Sequence, residues 1–348
     1  MTETAGIGHE DGGEPAQSAG GWGGGLWAAA DLITPMAIRV AATLRVADHI
    51  AAGRCGADEL AAATGADPDA LRRVLDHLVT ARVLTRGAGR YGLTPLGARL
   101  RDDDPDGVRQ WIDLDGAVGH GDLCLVELLH TVRTGEPAFD RHVGRTFWED
   151  LSAHAGRGAS FDALMGTQFA FAAKDIVAAY PWAELEHVVD VGGGNGTLLI
   201  ALLAAHPGLR GTVVDLPRPA AKAERAFADA GVADRADAVP GSFFDELPAG
   251  AGGYVLSRIL HDWDDEHAGR ILTRCAAAVR PDGVVLVVEG ADEHGAPNTE
   301  MDLRMLAYAR GRERTPEQFA ALGGTAGLRM ARVVPAGEQL IIELRPDR

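Results

Sequence analysis

Residues 188–196 of this 348-residue chain read Val188-Val189-Asp190-Val191-Gly192-Gly193-Gly194-Asn195-Gly196. The valines predict a buried strand, and the glycines predict a sharp turn that leads into a helix over Thr197–Ala205. Glycine suits this turn because its backbone can bend tightly and approach a ligand closely. Nicotinamide and flavin sites use a related pattern, so the motif by itself indicates only a nucleotide-like ligand.

The sequence after Pro181 alternates between strand-like and helical runs. This alternation is typical of a Rossmann-like, doubly wound α/β sheet, in which ligands bind at the carboxyl ends of the strands. We predict such a domain over residues 181–348. Its predicted strands are 188–191, 211–215, 236–239, 254–256, 284–289 and 340–344.

The sequence before residue 181 is mainly helical. Residues 21–105 carry apolar residues at helical spacing, an Asp67-Pro68 helix start and a hairpin over 83–93, which together predict an all-α domain of winged-helix type with a small wing. Residues 106–180 predict a helical linker in which Phe161 and Met165 line a substrate cavity; packing in a plain core is the alternative. Residues 1–20 are rich in Gly, Glu and Ser and predict a disordered tail.

Composition excludes several classes of function. The net charge of −17 opposes binding to nucleic acid or to anionic membranes. No apolar run reaches the roughly 20 residues of a membrane span, and the first residues do not resemble a secretion signal. The three cysteines are scattered and lack metal-ligand spacing, so we expect a cytoplasmic protein without a metal site.

Acidic residues on either side of the glycine turn narrow the ligand. Asp190 stands where it would repel a pyrophosphate, and it suits a ligand with ammonium and sulfonium charges. Asp215 ends the next predicted strand, where a carboxylate accepts hydrogen bonds from ribose hydroxyls. Ser242 and Phe243 follow a further strand and are candidates for the edge and face of adenine, with core packing as the alternative for the phenylalanine.

His261 lies at a strand-to-helix junction beside the predicted ligand. A phenol has a pKa near 10, so methylation of its oxygen benefits from a base, and histidine suits that role. A carboxylate behind the ring would orient it; Glu289 and Glu313 are both candidates, and the sequence does not choose between them. Met301, Met305 and Tyr308 share one side of a predicted helix over 300–310 and either contact an acceptor or belong to the core.

Five motifs occur along the chain in a familiar order: Asp-Val-Gly-Gly-Gly-Asn-Gly, Val-Asp-Leu-Pro, Gly-Ser-Phe-Phe, Leu-His-Asp-Trp-Asp-Asp and Gly-Arg-Glu-Arg-Thr. From Leu26 to the C-terminus the chain resembles the class I S-adenosylmethionine-dependent O-methyltransferases of plant phenolics and bacterial aromatic polyketides. The resemblance implies a homodimer formed through the winged-helix domain, His261 as base and Glu289 and Glu313 as its flanking acids. The cofactor pocket that we predict comprises Asp190, Gly192, Gly194, Asp215, Leu216, Ser242, Phe243, Ser257 and Arg258.

The predicted function is transfer of a methyl group from S-adenosylmethionine to a phenolic hydroxyl of an aromatic secondary metabolite, a polyketide, with S-adenosylhomocysteine as product. A protein of the same fold that catalyses a hydroxylation or a pericyclic step is the main alternative. A winged-helix regulator with a small-molecule sensor domain is another, although Asp67, Asp69 and Asp76 oppose phosphate contact by the same helix. A dinucleotide oxidoreductase is the third.

Overall fold

The computed structural model describes residues 25–290 and 296–347, so the predicted tail at 1–20 lies outside the described residues. The first part of the described chain is helical except for one hairpin. Its elements are α1 (Leu26–Ala30), α2 (Ile33–Thr43), α3 (Val46–Ala51), α4 (Ala57–Thr64), α5 (Pro68–Thr80), β1 (Leu84–Gly87), β2 (Arg90–Leu93) and α6 (Pro95–Ala98).

Local chemistry fixes the ends of these helices as the sequence predicts. Gly65 ends α4 in the left-handed conformation, and the Asp67 side chain caps α5 by accepting a hydrogen bond from the Ala70 amide. The antiparallel pair β1–β2 forms the predicted wing. Leu60, Leu75 and Leu78 are fully buried between the helices and form the centre of a separate small core.

A second group of helices leads to the sheet. It consists of α7 (Val108–Ile112), α8 (Ala117–Gly121), a 3-10 helix (Asp122–Glu127), α9 (Leu128–Thr134), α10 (Ala138–Val143), α11 (Phe147–Ala153) and the long α12 (Ala155–Ala179). Phe139 and Phe147 are buried here and meet edge to face, with ring centroids 5.4 Å apart. This cluster also receives Tyr308 from the C-terminal part of the chain.

The C-terminal part is the α/β domain that the alternating pattern predicts. Its strands lie in the order β5-β4-β3-β6-β7-β9-β8; β3 to β7 run parallel, and β9 is antiparallel to both β7 and β8. A 3-10 helix (Trp182–Leu185) precedes the sheet. The elements are β3 (His187–Val191), α13 (Thr197–Ala205), β4 (Arg210–Asp215), α14 (Pro217–Asp229), β5 (Ala236–Pro240), β6 (Gly253–Ser257), a 3-10 helix (Leu260–Asp262), α15 (Asp265–Ala278), β7 (Val284–Gly290), α16 (Thr299–Ala309), α17 (Pro316–Thr325), β8 (Leu328–Ala336) and β9 (Gln339–Pro346).

All six predicted strands are present, and the sequence prediction missed one strand, β8. This strand lies at the edge of the sheet, contains two arginines and a proline, and has a register shift between Met330 and Arg332. Its side chains do not alternate cleanly between buried and exposed, so it lacks the period that identifies a strand. Edge strands escape that pattern because only part of their surface is covered.

The strand order places a crevice at the carboxyl end of β3. This strand pairs with β4 on one side and with β6 on the other, so the winding of the sheet reverses there. Ligands of doubly wound sheets bind at such a reversal. The strand ends at this point bring the glycine turn, Asp215 and Ser257 to one edge. None of the helices in the described ranges is long and apolar enough to cross a membrane.

We predict that Leu75→Ala destabilises the N-terminal core. The leucine is fully buried, so its truncation leaves a cavity that should cost about 2–5 kcal/mol of unfolding free energy. Chemical denaturation monitored by circular dichroism measures the loss. Leu96→Ala is the control, because Leu96 is 58% exposed and should change the free energy by less than about 0.5 kcal/mol. Equal effects of the two variants would contradict the assignment of this core.

Candidate active site

A cavity of about 730 Å³ opens at the carboxyl edge of the parallel strands. Its walls come from the glycine turn, the segments after β4, β5 and β6, and one face each of α12 and α16. All nine residues predicted for the cofactor and all five predicted for the acceptor line this one cavity. The two acids predicted behind His261, Glu289 and Glu313, are buried outside its wall.

The glycine turn is held tightly against its neighbours. Gly192 has φ +77°, and a Cβ atom at this position would lie 2.5 Å from Ile259 Cδ1. The Gly194 amide donates a hydrogen bond of 2.8 Å to Asp215 Oδ2, and the Leu216 amide donates one of 2.6 Å to Asp215 Oδ1. Gly192 and Gly194 therefore require glycine, for reasons of space or backbone conformation. The hydrogen bond from the Gly194 amide also ties the turn to the end of β4.

Asp190 and Asp215 bring negative charge to this edge. Burial raises the pKa of Asp190 to about 7, and the charge of Asp215 adds to the rise. Burial also raises the pKa of Asp215, although the two amide hydrogen bonds lower it. No cation among the described residues contributes to either shift, so the edge of the cavity has an uncompensated demand for positive charge.

The segments after β5 and β6 supply one aromatic ring and one hydroxyl to the same edge. The Phe243 ring lines the cavity and packs edge-on against Phe244 and Trp263, at 5.1 and 5.9 Å between centroids. Phe243 thus has both a core contact and a face on the cavity. The Ser257 hydroxyl is buried and has no hydrogen-bond partner among the described residues. Arg258 follows it with φ +53° and places its guanidinium 6.0 Å from the Phe169 ring centre.

His261 lines the same cavity, and the structure separates the roles of its acids. Its Nδ1 atom lies 2.9 Å from Glu313 Oε1 and 3.7 Å from Glu289 Oε2. Glu313 therefore forms the hydrogen bond to the ring. Glu289 Oε1 instead accepts from the amides of Leu260 and His261, at 3.2 and 3.3 Å, and holds the backbone.

A third carboxylate, which the sequence analysis did not single out, completes this cluster. Asp262 Oδ1 lies 3.6 Å from His261 Nε2. Burial lowers the pKa of His261. The charges of Glu289 and Asp262 and the hydrogen bond to Glu313 raise it by more, so that the pKa is about 10. Burial raises the pKa of Glu289 to about 7 and that of Asp262 to about 6, although the imidazolium charge lowers both. The cluster thus retains one proton on the imidazole far above neutral pH.

The other part of the cavity is mostly apolar and aromatic. α16 contributes Met301, Met305 and Tyr308, and α12 contributes Phe161 and Met165, as predicted. The Tyr308 ring packs against Phe147 at 5.0 Å. Further wall residues include Trp111 on α7, Trp148 on α11 and Arg304 on α16, none of which was predicted to line the cavity. The aromatic residues of segment 106–180 were the only sequence signal for the two tryptophans, and no sequence signal indicated Arg304.

In the described parts of the chain, no cluster of His, Cys, Asp or Glu side chains is arranged to hold a metal ion.

We predict that Glu313→Gln lowers the pKa of His261. The glutamine amide keeps the shape of the side chain but removes one of the negative charges that raise the pKa to about 10, so the imidazolium should lose its proton at lower pH. The ring-proton NMR shifts of His261, followed as a function of pH, measure the change. Glu266→Gln on the exposed face of α15 should leave the titration as in the wild type. A titration that does not move in Glu313→Gln would contradict the assignment of Glu313 as the ring's partner.

Comparison with known proteins identifies the family. A family model described as an O-methyltransferase domain matches residues 125–329, and one described as an O-methyltransferase dimerisation domain matches residues 27–103. The 2,7-dihydroxy-5-methyl-1-naphthoate 7-O-methyltransferase of Streptomyces carzinostaticus is 54% identical over 323 residues, which cover 92% of this chain and 97% of that protein. The aclacinomycin 10-hydroxylase RdmB of Streptomyces purpurascens is 46% identical over 310 residues, which cover 86% of this chain and 83% of that protein.

Similar solved structures indicate the same family. The O-methyltransferase NcsB1 from neocarzinostatin biosynthesis, in complex with S-adenosylmethionine and 2-hydroxy-5-methyl naphthoic acid, is similar with a TM-score of 0.89 at 53% identity, covering 92% of this chain and 98% of that one. Its complex with S-adenosyl-L-homocysteine and 1,4-dihydroxy-2-naphthoic acid has a TM-score of 0.90 at the same identity and coverage. The chain therefore belongs to the S-adenosylmethionine-dependent O-methyltransferases, with the dimerisation domain and the α/β domain of that family.

Proposed function

We propose that this protein methylates a phenolic hydroxyl of a fused-ring aromatic metabolite, a polyketide, with His261 as general base. One observation carries the proposal: a histidine with a 2.9 Å hydrogen bond to a buried glutamate lines the same cavity as the charged edge and the aromatic wall. A base at this point can reach a ligand in either part. The relative at 54% identity is named for a hydroxylated naphthoate, which makes hydroxynaphthoic acids the first acceptors to test.

The charged part of the cavity suits S-adenosylmethionine. Asp190 and Asp215 lack cationic partners, the Ser257 hydroxyl is buried without a hydrogen-bond partner, and Gly192 leaves no room for a side chain against Ile259. These residues, with Gly194, Leu216, Ser242, Phe243 and Arg258, would hold the cofactor. When bound, it supplies a methyl group activated by a sulfonium charge.

The proton of the acceptor goes to His261 in this proposal. The Nδ1 atom is committed to Glu313, so Nε2 is the nitrogen that accepts the proton. In the empty site a pKa of about 10 keeps the imidazole protonated at neutral pH, so His261 can act as base only after that pKa falls. A bound cation nearby lowers the pKa of His261 and thereby favours the neutral imidazole that the base requires.

The N-terminal domain provides the surface for a homodimer in this proposal. The match to a dimerisation domain covers 27–103, and Leu32 and Ile33 expose 62% and 66% of their surface at the start of α2. Large exposed apolar side chains at neighbouring positions favour association. We also propose a cytoplasmic location and a division of the chain into 21–105, 106–180 and 181–348.

Two alternatives have specific observations for or against them. The 46% identical relative is a hydroxylase, so a non-methylating step on an aromatic ligand is the second candidate function. A DNA-binding regulator is disfavoured because the arginines of α5 are paired with acids: Arg72 lies 3.1 Å from Asp58 and Arg73 lies 2.8 Å from Asp69. Arginines engaged in this way offer little to a phosphate backbone.

We expect methyl-labelled S-adenosylmethionine to transfer its label to members of a hydroxynaphthoic acid panel. His261→Ala should reduce kcat by on the order of 10²–10⁴-fold while leaving cofactor affinity in place, since the base acts on the acceptor. Turnover is measured by label in the organic phase, and affinity by calorimetry with S-adenosylhomocysteine.

His267→Ala serves as the control for this experiment. His267 lies on α15 and is 39% exposed. Its ring pairs with Asp264, the N-cap residue of that helix, so the loss of the ring should not affect turnover. Undiminished turnover in His261→Ala would remove His261 as base. An acceptor that is altered without receiving label would favour the hydroxylase-like alternative.

We further expect S-adenosylmethionine binding at pH 7 to release protons. The raised pKa values of Asp190, about 7, and His261, about 10, leave these groups partly or fully protonated in the empty site. A bound cation lowers both pKa values, so protons leave for the solvent. Calorimetry in buffers of different ionisation enthalpy counts them. S-adenosylhomocysteine, which lacks the sulfonium charge, should release fewer, and so should Asp190→Asn with either ligand. Equal proton release for the two ligands would contradict this electrostatic account.

A further inference from the structure

A buried carboxylate outside the cavity joins the N-terminal domain to the acceptor wall. Asp122 begins the 3-10 helix before α9, and its side chain is 3% exposed. Its Oδ2 atom accepts a hydrogen bond of 2.5 Å from Arg39 Nη2 on α2. Its Oδ1 atom accepts from Arg304 Nε at 3.0 Å and from the Tyr308 hydroxyl at 2.6 Å, both on α16. One carboxylate therefore holds two domains together.

Some of the side chains that donate hydrogen bonds to Asp122 line the cavity, and the others lie outside it. Arg304 and Tyr308 line the acceptor part of the cavity, whereas Arg39 and Asp122 do not. The hydroxyl proton of Tyr308 is committed to Asp122, and burial together with that carboxylate raises the pKa of Tyr308 strongly. Tyr308 lines the cavity, and its hydroxyl is held outside the cavity wall by Asp122 at 2.6 Å, with the Val118 carbonyl oxygen as a second acceptor at 3.1 Å.

The same helix continues to the base. Asp302 Oδ1 on α16 accepts a hydrogen bond of 2.8 Å from the amide of Glu313, the residue that bonds the His261 ring. The Arg312 amide donates to the His261 carbonyl oxygen at 2.8 Å. A Cβ atom at Gly311 would lie 2.1 Å from that oxygen, so the segment after α16 and the His261 backbone are in close contact. A displacement of α16 therefore moves Glu313 relative to the imidazole.

We infer that Asp122 is a positioning residue, through which Arg39 of the N-terminal domain sets both the acceptor wall and the hydrogen bond between Glu313 and His261. The inference rests on the proposed function in that His261 is taken as the base. Precise placement matters because a misplacement of about 1 Å at a reacting centre can cost up to about 100-fold in rate.

The chain offers a matched control for Asp122. Glu343 on β9 is also a buried carboxylate, 1% exposed, held by two arginines and a tyrosine hydroxyl. Its partners are Arg332 at 2.7 Å, Arg345 at 2.6 Å and Tyr180 at 2.8 Å, and none of the four residues lines the cavity. Glu343→Gln and Asp122→Asn therefore each remove a buried carboxylate that two arginines and a tyrosine hydroxyl hold, one on β9 within the sheet and one behind the acceptor wall.

The test compares Asp122→Asn, Arg39→Gln, Arg39→Lys and Glu343→Gln in the full chain. Nitrogen-15 NMR of the His261 ring reports the hydrogen bond at Nδ1 without requiring turnover. Calorimetry with S-adenosylhomocysteine and 1,4-dihydroxy-2-naphthoic acid measures the two parts of the cavity separately. We expect Asp122→Asn and Arg39→Gln to shift the His261 resonances and to weaken naphthoic acid binding about 10-fold or more. S-adenosylhomocysteine binding should be retained, Arg39→Lys should restore the wild-type values, and Glu343→Gln should change only thermal stability.

The inference is overturned if Asp122 behaves like the control, and the remaining outcomes still leave a variant or a signal that decides. If Asp122→Asn folds and leaves His261 and the naphthoic acid affinity as Glu343→Gln does, Asp122 is only a structural ion pair. If Asp122→Asn does not fold, Arg39→Gln decides, because Arg39 lies outside the cavity and is 16% exposed. If the wild type binds no naphthoic acid, the acceptor class of the proposed function is wrong, while the His261 resonances still test the coupling.

Discussion

Uncompensated negative charge at the carboxyl edge of the sheet is the constraint on which the site depends. Asp190 and Glu289 are buried at the ends of central strands, where burial raises the pKa of each to about 7. Taking a carboxylate out of water is costly unless a cation or a set of hydrogen bonds replaces the lost solvation. His261 supplies one positive charge from within the protein. Among the described residues no cation contributes to the pKa of Asp190 or Asp215, so this edge is suited to a ligand that brings its own positive charge.

The sheet keeps these acids in place, because the strands that carry them are central and buried. β3 and β7 have neighbours on both sides, and their valine side chains are fully buried on both faces of the sheet. The glycine turn is tied to β4 through the hydrogen bond from the Gly194 amide to Asp215. The acceptor part is built differently, from helices that come from distant parts of the sequence and meet only in the folded chain. Substrate specificity can therefore change on these helices while the cofactor part stays the same.

The residues at strand ends and turns could be predicted from the sequence more fully than the residues that depend on tertiary packing. Asp190, the glycines, Asp215 and His261 belong to strand ends and turns, whose local patterns are visible in the chain, and the structure brings them together as expected. Sequence alone could not choose between Glu289 and Glu313, because a difference of 2.9 against 3.7 Å arises from tertiary packing. Asp262 adjoins His261 in the sequence, yet its burial against the imidazole has no local signature. Arg304 and Asp122 are missed for the same reason, since 182 positions separate two side chains that share a hydrogen bond.

Charge balance connects the histidine to methyl transfer. The empty cluster keeps a proton on His261 up to a pH of about 10, since three carboxylates demand one positive charge. In the proposed reaction, a sulfonium cation bound in the same cavity would meet that demand and allow the imidazole to be neutral. His261 would then become the cation on taking the proton of a phenol as the sulfonium charge is lost, so the buried acids would face one positive charge before and after the reaction. The fold is shared with a hydroxylase at 46% identity, and the acids around His261 are therefore the physical reason for proposing methylation in this chain.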